Sequence, residues 1–525
     1  MKRFLLGGIG IVAFGMWASS APAGDQYWDG SSTPGIQSGN GNWSDTNWSD
    51  SGGVVLSTWA DSNTAYFASV SGSSSTITLT NTVNAIVEIN GIAYNLIITN
   101  GGTLNATAQS KIGSVNGANN NAVLVTGSGS VWSNSASTCA GYGGCYNSLT
   151  IANGAKVISG YGYISVLNGG NSNTVTITGT GSVWQSGAEF DLSYSFSGVT
   201  GGNQLIVTNG GAFVSAICMV GGHYWSTGQD GIANQNAVTI TGPGSVWTNT
   251  SILVIGYKGS NNSVTVADGA ALYSGNLSLG YSNYGGSDSN SLTVANASSS
   301  NGLIAVGNAV NFNSCGNRLL ATNAVLRSAG LTVGKANGAY APSNNVATVL
   351  AGTVWDGEGA ALTIGSGAGA AGNVLTISGG TLTNFSAVTI GGNAGSISNG
   401  LVVNNGSRLY SPGATLGSAG GSVGNYATVA GTSSWWTVGG TLTMNAAAQI
   451  GVDVVTPGNL IVQGTANLGS GIVNPIRLPR SGRKSCTVLT AGSLTGNLSL
   501  GPLPPGYSGV LTTNLVSTPN QVDLL

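Results

Sequence analysis

Charge is what this chain has least of: Asp, Glu, Lys and Arg together make up 5% of 525 residues, where about 25% is ordinary. Thirteen bases against 15 acids, spread so thinly, exclude a nucleic-acid binder that relies on a basic surface. Histidine is nearly absent too. With His223 the sole example, no two-histidine zinc cluster can form, and no Ser-His-Asp triad or Cys-His pair can be assembled around a second one. Proline is scarce at 12, and the 87 glycines follow no every-third-residue period, so collagen is excluded. The 41% of hydrophobic residues excludes wholesale disorder. What remains is a long, neutral, turn-rich chain of β character.

Long apolar runs are also missing, with one exception at the start. Lys2 and Arg3 precede an uncharged apolar stretch from Phe4 to about Trp17, and Ser19-Ser20-Ala21-Pro22-Ala23 then offers an A-x-A cleavage site before Gly24. The run is shorter than the roughly 20 residues a membrane span needs, so residues 1–23 read as a secretory signal peptide. Export permits disulfides among the five cysteines. Cys139 and Cys145, in CAGYGGC, are the pair expected to close a small loop; Cys218, Cys315 and Cys486 are widely separated.

A five-residue phrase, Asn-x-apolar-x-apolar, organises the middle of the chain. It recurs at Asn121, Asn147, Asn173, Asn203, Asn236, Asn262, Asn290, Asn317, Asn345, Asn373, Asn399 and Asn425, in steps of 26 to 33 residues. Positions two and four are apolar, as in Val175 and Ile177, and the position between is usually Thr, a period of two that means strand. Each phrase leads through Gly or Asn-Gly turns to a second short strand and then to an apolar-x-apolar-Gly phrase such as that ending at Gly256 or Gly365. Three short strands per step, with no helical pattern between them, predict an all-β, single-stranded β-solenoid (a parallel β-helix) of about 26–33 residues per coil with capped ends. A propeller blade would need about 40 residues. The repeated Asn is expected at the same bend of every coil, where it tolerates a left-handed backbone, with its amides bonding from coil to coil as a structural ladder.

Alternate coils differ. One kind reads T-G-x-G-S-V-W, at Thr126–Trp132, Thr178–Trp184 and Thr241–Trp247, with echoes at Trp355 and Trp435-Trp436; the other reads N-G-A or N-G-G, at Asn153 and Asn209. Over about Asn121 to Gly440 this alternation resembles the repeat family shared by autotransporter (type V secretion) passengers and exported proteins that carry a PEP-CTERM sorting signal. Residues 24–80, rich in Trp, resemble the opening module of such passengers, and 451–525 their closing segment, leaving 81–450 as the solenoid proper. The resemblance implies surface display. Neither the run of barrel strands nor the terminal apolar helix with a basic tail that the family uses is legible here.

Catalytic candidates are few. Acid/base cleavage of sugars needs paired carboxylates, and Glu189/Asp191 and Asp356/Glu358 are the only same-face pairs, each at i, i+2 with no base nearby in sequence. Both read as solvated outward or turn residues, and His223, in GGHYWSTG, as a loop residue. No catalytic, metal or cofactor site is expected. Binding has two candidates. If position ten after each Asn faces inward, position eleven faces out, and Trp132, Trp184, Trp247 and Tyr273 join one row with aromatics about 9.6 Å apart, at ~4.8 Å per coil. That spacing suits stacking on an extended sugar chain; the competing expectation is that the indoles are buried or covered by loops. The second candidate is the corner of variable length before each Asn, with Tyr224, Trp225, Tyr257, Tyr281, Tyr284 and Tyr340. The basic cluster Arg477, Arg480, Arg483 and Lys484 reads as a solvated loop. These features point to an exported, non-enzymatic, adhesin-like protein contacting polysaccharide. A polysaccharide-processing enzyme and a purely structural envelope spacer are the alternatives.

Overall fold

The fold, taken from a computed structural model, is described for residues 24–525 apart from 69–73, 197, 224–230, 284, 419, 446, 481, 483 and 515–519. The leader read over 1–23 lies outside the described residues, as do Tyr224, Trp225, Tyr284 and Arg483. Every regular element among the described residues is a strand, and the strands stack as parallel coils into a β-solenoid of about 15 turns. No helix among them is long and apolar enough to cross a membrane.

Each coil contributes to three strand arrays. The first is built by the Asn phrase: Thr174–Thr178 pairs in parallel with Ser148–Ala152 below and Gln204–Thr208 above, in unbroken register. Val175 and Ile177 point into the core because side chains alternate along a strand, and Thr176 points out. The second and third arrays are often one bent strand, as in Val131–Ala140 and Val246–Ile255, with a register shift at the bend. The hydrophobic core is continuous from Trp28 to Leu524.

The repeated Asn is buried at every one of the twelve positions. Its amide stitches the coils: Asn121 Nδ2 donates to Asn147 Oδ1 at 3.0 Å while the Asn121 backbone N–H donates to the same oxygen at 2.9 Å, and this pair of hydrogen bonds recurs up to Asn399 and Asn425 except at Asn203, whose amide turns to Ser193 and Gly170. The expected left-handed backbone, however, lies one residue earlier. Asn120, Tyr146, Ser172, Gly202, Gln235, Asn261 and their six successors through Gly424 have φ between +54° and +67°, and the ladder Asn itself does not. The Asn is there for its side chain, and the strain falls on a neighbour of almost any type. The glycine of the apolar-x-apolar-Gly phrase has the complementary task. A Cβ on Gly307 would sit 2.1 Å from Asn345, and one on Gly365 2.3 Å from Asn399, so at these two coils glycine lets the chain pass under the amide.

The ends are closed differently. Trp28, Trp43, Trp48 and Phe67 are fully buried, and with Trp59 their rings pack edge to face and tilted over the first coils. Parallel stacking runs past residue 450 to Ser499–Leu500, after which Asn520–Leu524 adds antiparallel to Cys486–Thr495.

Candidate functional site

The tryptophan row is inside. Trp132, Trp184 and Trp247 are 0% exposed, whereas Tyr273 is 48% exposed and Ile158 40%. The reason is a turn count. Thr126 pairs with Ala152, and Trp132 pairs with Val157, so the T-G-x-G-S turn holds one residue more than the N-G-A turn of the next coil. Position eleven of one coil kind therefore stacks on position ten of the other: Trp132, Val157, Trp184, Phe213, Trp247 and Leu272 form a single inward column. The indoles are pinned from the coil before, with Trp184 Nε1 donating to Ser159 Oγ at 3.0 Å, Trp355 to Ser328 at 2.9 Å and Trp436 to Ser411 at 3.1 Å. Trp132 Nε1 meets no acceptor, because the matching position one coil earlier is Ala106. Of the four ring residues proposed to stack on a glycan, only Tyr273 faces solvent.

The expected disulfide is not formed either. Cys139 precedes the last residue of the strand Val131–Ala140 and is buried, with its thiol pushed up in pKa by burial, while Cys145 lies beyond the turn and its Sγ donates to the Gly169 carbonyl at 2.8 Å. At the variable corner Tyr257 is buried in an outer apolar cluster with Met219 and Val254, and the partly buried Tyr281 stacks on it at 5.4 Å.

Among the described residues, chemistry gathers on the outward side of the third array, in the coils that start at Asn173 and Asn203. Glu189–Leu192 lies between Lys156–Ile164 and Ile217–Val220. Phe190 and Leu192 fill the core, so Glu189 and Asp191 point outward by alternation; Asp191 is flanked in register by Tyr163 and Met219. The two acids are nevertheless buried, at 1% and 0% exposure, instead of solvated as their sequence context suggested. The cover comes from the next coil. Gly221 and Gly222, at φ +84° and +135°, turn the chain back over Asp191, and a Cβ on Gly222 would meet Tyr257 at 2.8 Å. The following residue is His223. Its Nδ1 lies 2.7 Å from Asp191 Oδ2 and 3.4 Å from Glu189 Oε1, and its ring packs on Tyr194 with centroids 4.0 Å apart. The sole histidine and the acid pair, 32 and 34 residues apart in sequence, are neighbours in space.

Electrostatics at this corner are strongly coupled. Burial raises the Asp191 pKa well above the carboxylate range and the charge of Glu189 adds to this, against the lowering effect of the His223 hydrogen bond. Burial alone would lower His223, but its hydrogen bonds to Asp191 and Glu189 and their charges outweigh it and hold the imidazole at about 10. Burial and the Asp191 charge also push the Tyr163 phenol up. The ion pairs that the described residues offer these two acids are both with His223. Neither a protein-family model nor a curated protein matches this sequence.

Two other features are structural. Asp356 and Glu358 share a surface turn in which Asp356 accepts the Glu358 backbone N–H at 2.9 Å and an Asn384 amide at 2.9 Å. Near the C-terminus a cleft of about 860 Å³ includes Arg480 and Lys484 in its walls. The adjacent bases brace the fold: Arg477 pairs with Asp453 at 2.7 Å and Lys484 donates to the Val455 carbonyl at 2.8 Å.

Proposed function

We propose that this is an exported, non-enzymatic β-solenoid of a cell surface or extracellular matrix, adhesin-like, which presents an extended face to glycans or other surfaces. The observation that carries the reading is the outward side of the stack in its middle and later coils. There the third array aligns Thr332, Thr363, Thr389, Thr415 and Thr443, and the first aligns Thr239, Thr265 and Thr293, each on its neighbour in register. Such rows present hydroxyls at a strand spacing of about 4.8 Å without a charge to repel an anionic polymer. Exposed Tyr273, Tyr340, Tyr410 and Trp435 add apolar surface for sugar faces. Display outside the cell follows from the leader pattern in residues 1–23 and from the resemblance to autotransporter and PEP-CTERM repeats. Binding to an array of polysaccharides and matrix polymers, run beside a reducing-end assay, tests it. Retention of a polymer without release of ends is the expected result; retention of none favours a spacer.

The enzyme alternative gains one specific observation, the carboxyl pair beside His223. The geometry suits sugar cleavage poorly. The ligand atoms of the three residues lie within 4.8 Å of one another, closer than the roughly 5–9.5 Å between the carboxyls of glycosidases, and both acids are covered. Release of new reducing ends by the wild type, lost in Glu189→Gln, would establish that alternative.

A further inference from the structure

We propose that Glu189, Asp191 and His223 form a binding site for one divalent transition-metal ion of the zinc class. Three observations converge. The first is geometric: one nitrogen and two carboxylate oxygens, all within 4.8 Å of one another, come from a strand and from the turn one coil above it. Ligands about 2.0–2.2 Å from a tetrahedral ion stand roughly 3.3–3.6 Å apart. The 3.4 Å between His223 Nδ1 and Glu189 Oε1 is already at that value, and the 2.7 Å to Asp191 Oδ2 has to open by less than about 1 Å.

The second observation is a polar atom without a role. Asp191 Oδ1 is fully buried and accepts no hydrogen bond, although a buried carboxylate oxygen left unpaired is costly. A cation held by both oxygens of this carboxylate satisfies it. The third is charge. Two buried carboxyl groups face one imidazole, whose single positive charge can match only one carboxylate. A divalent ion that takes the place of the imidazole proton balances both acids with a neutral His223.

The donor set chooses the class of ion. Calcium and magnesium take all-oxygen shells, whereas an imidazole nitrogen with carboxylates suits zinc and its neighbours. Three protein ligands leave a fourth position open.

The test uses the untagged mature chain, in which His223 is the only imidazole. Titration with zinc, followed by calorimetry and by the ¹⁵N spectrum of labelled histidine, should show one saturable ion per chain and a shift of the single imidazole at Nδ1. Cobalt in its place should give the visible spectrum of a nitrogen- and oxygen-ligated ion. His223→Gln and Asp191→Asn should each weaken zinc by more than about tenfold, the loss that even removing an outer-shell partner can bring. The exposed pair variant Asp356→Asn/Glu358→Gln and the thiol variant Cys145→Ser/Cys315→Ser should bind as the wild type does. Circular dichroism on every variant excludes unfolding as the cause. Wild-type chain that binds no zinc, binds it without moving the His223 signal, or gives cobalt a thiolate charge-transfer band overturns the proposal. So does an equal preference for calcium.

Discussion

The coils between Asn173 and Asn236 and those between Asn373 and Asn425 follow the same plan with different results. In the later pair the step is 26 residues each time, each Asn amide bonds the next directly, and Gly365 and Gly391 pass beneath the ladder. In the earlier pair the steps are 30 and 33 residues, and the glycine position is occupied by Ser193 at φ +72°. Its hydroxyl enters the ladder, accepting from Asn203 Nδ2 at 2.8 Å and donating to Asn236 Oδ1 at 2.6 Å. The extra chain makes its own small sheet, Val199–Gly201 on Ile232–Asn234, and the outward row changes from threonines to Tyr163, Asp191 and Met219. Inside, nothing changes: Leu205 and Val207 stack as regularly as Leu401 and Val403. A solenoid holds its core and ladder constant and varies its corners, so chemistry collects where the step lengthens.

Substitutions can break or sharpen that contrast. If the core ignores the irregular corner, Trp184→Ala beside it and Trp436→Ala far from it should cost the same, about 3–5 kcal/mol each, by leaving a cavity where a buried indole stood. Chemical denaturation of the two variants measures this, and a much smaller loss at Trp184 would mean that the earlier coils are loosely packed. Polymer retention should survive both changes.

Next in size is the ladder. Asn399→Ala leaves the buried Asn373 N–H without its acceptor, at about 1–3 kcal/mol, and takes one of two acceptors from the Asn373 amide, which keeps the Pro342 carbonyl. Ser193→Ala should cost only about 1 kcal/mol, because Asn203 Nδ2 keeps the Gly170 carbonyl and Asn236 Oδ1 keeps the Asn203 N–H. Melting temperatures that rank the two the other way would make the serine the keystone of its coils rather than a tolerated variant.

Ala106→Ser tests the same logic as a gain. It places a hydroxyl where Ser159, Ser328 and Ser411 stand in other coils and should stabilise the protein by about 0.5–1.5 kcal/mol by giving Trp132 Nε1 its acceptor. No change in the denaturation midpoint would show that the indole is already satisfied by water.

The smallest effect is expected at the closing end. Burial tends to raise Asp453, but its bonds to Arg477, Thr456 and Val455 outweigh this and hold its carboxyl below the usual range. A depressed carboxylate stabilises the fold above its unfolded value, near pH 4, and that contribution fades as pH falls through the lower folded value. Hydrogen exchange at 449–477 should therefore quicken below about pH 4 while the Asn373–Asn425 ladder, which carries no titrating group, does not change. The effect is small because Arg477 is half exposed.

Much of the architecture was legible without coordinates. Period-two alternation is a local signal, and twelve repetitions of Asn-x-apolar-x-apolar make its step unmistakable; parallel coils and an all-β chain follow because each short strand can bury its apolar side only against copies of itself. The ladder amides fall where that step places them. The left-handed residue stands one position before the recurring Asn, and sequence shows which residue recurs but not that a neighbour of variable type takes the strain. The direction of Trp132, Trp184 and Trp247 was open for a related reason. Facing is decided by parity, and parity depends on a turn one residue longer in alternate coils, visible only when strands are paired across coils.

Composition and periodicity by themselves determined that this chain is a neutral stack of β-coils with an inner face, an outer face and a repeating amide, because those properties are set within a single step and then copied. Tertiary structure alone decided which side chains meet between steps: that the indoles close the core, that Cys139 and Cys145 part at a turn, and that His223 folds back through two glycines onto Glu189 and Asp191. Contacts of that kind join residues some 30 positions apart, at a distance where the pattern of neighbours along the chain carries no trace of who will stand above whom.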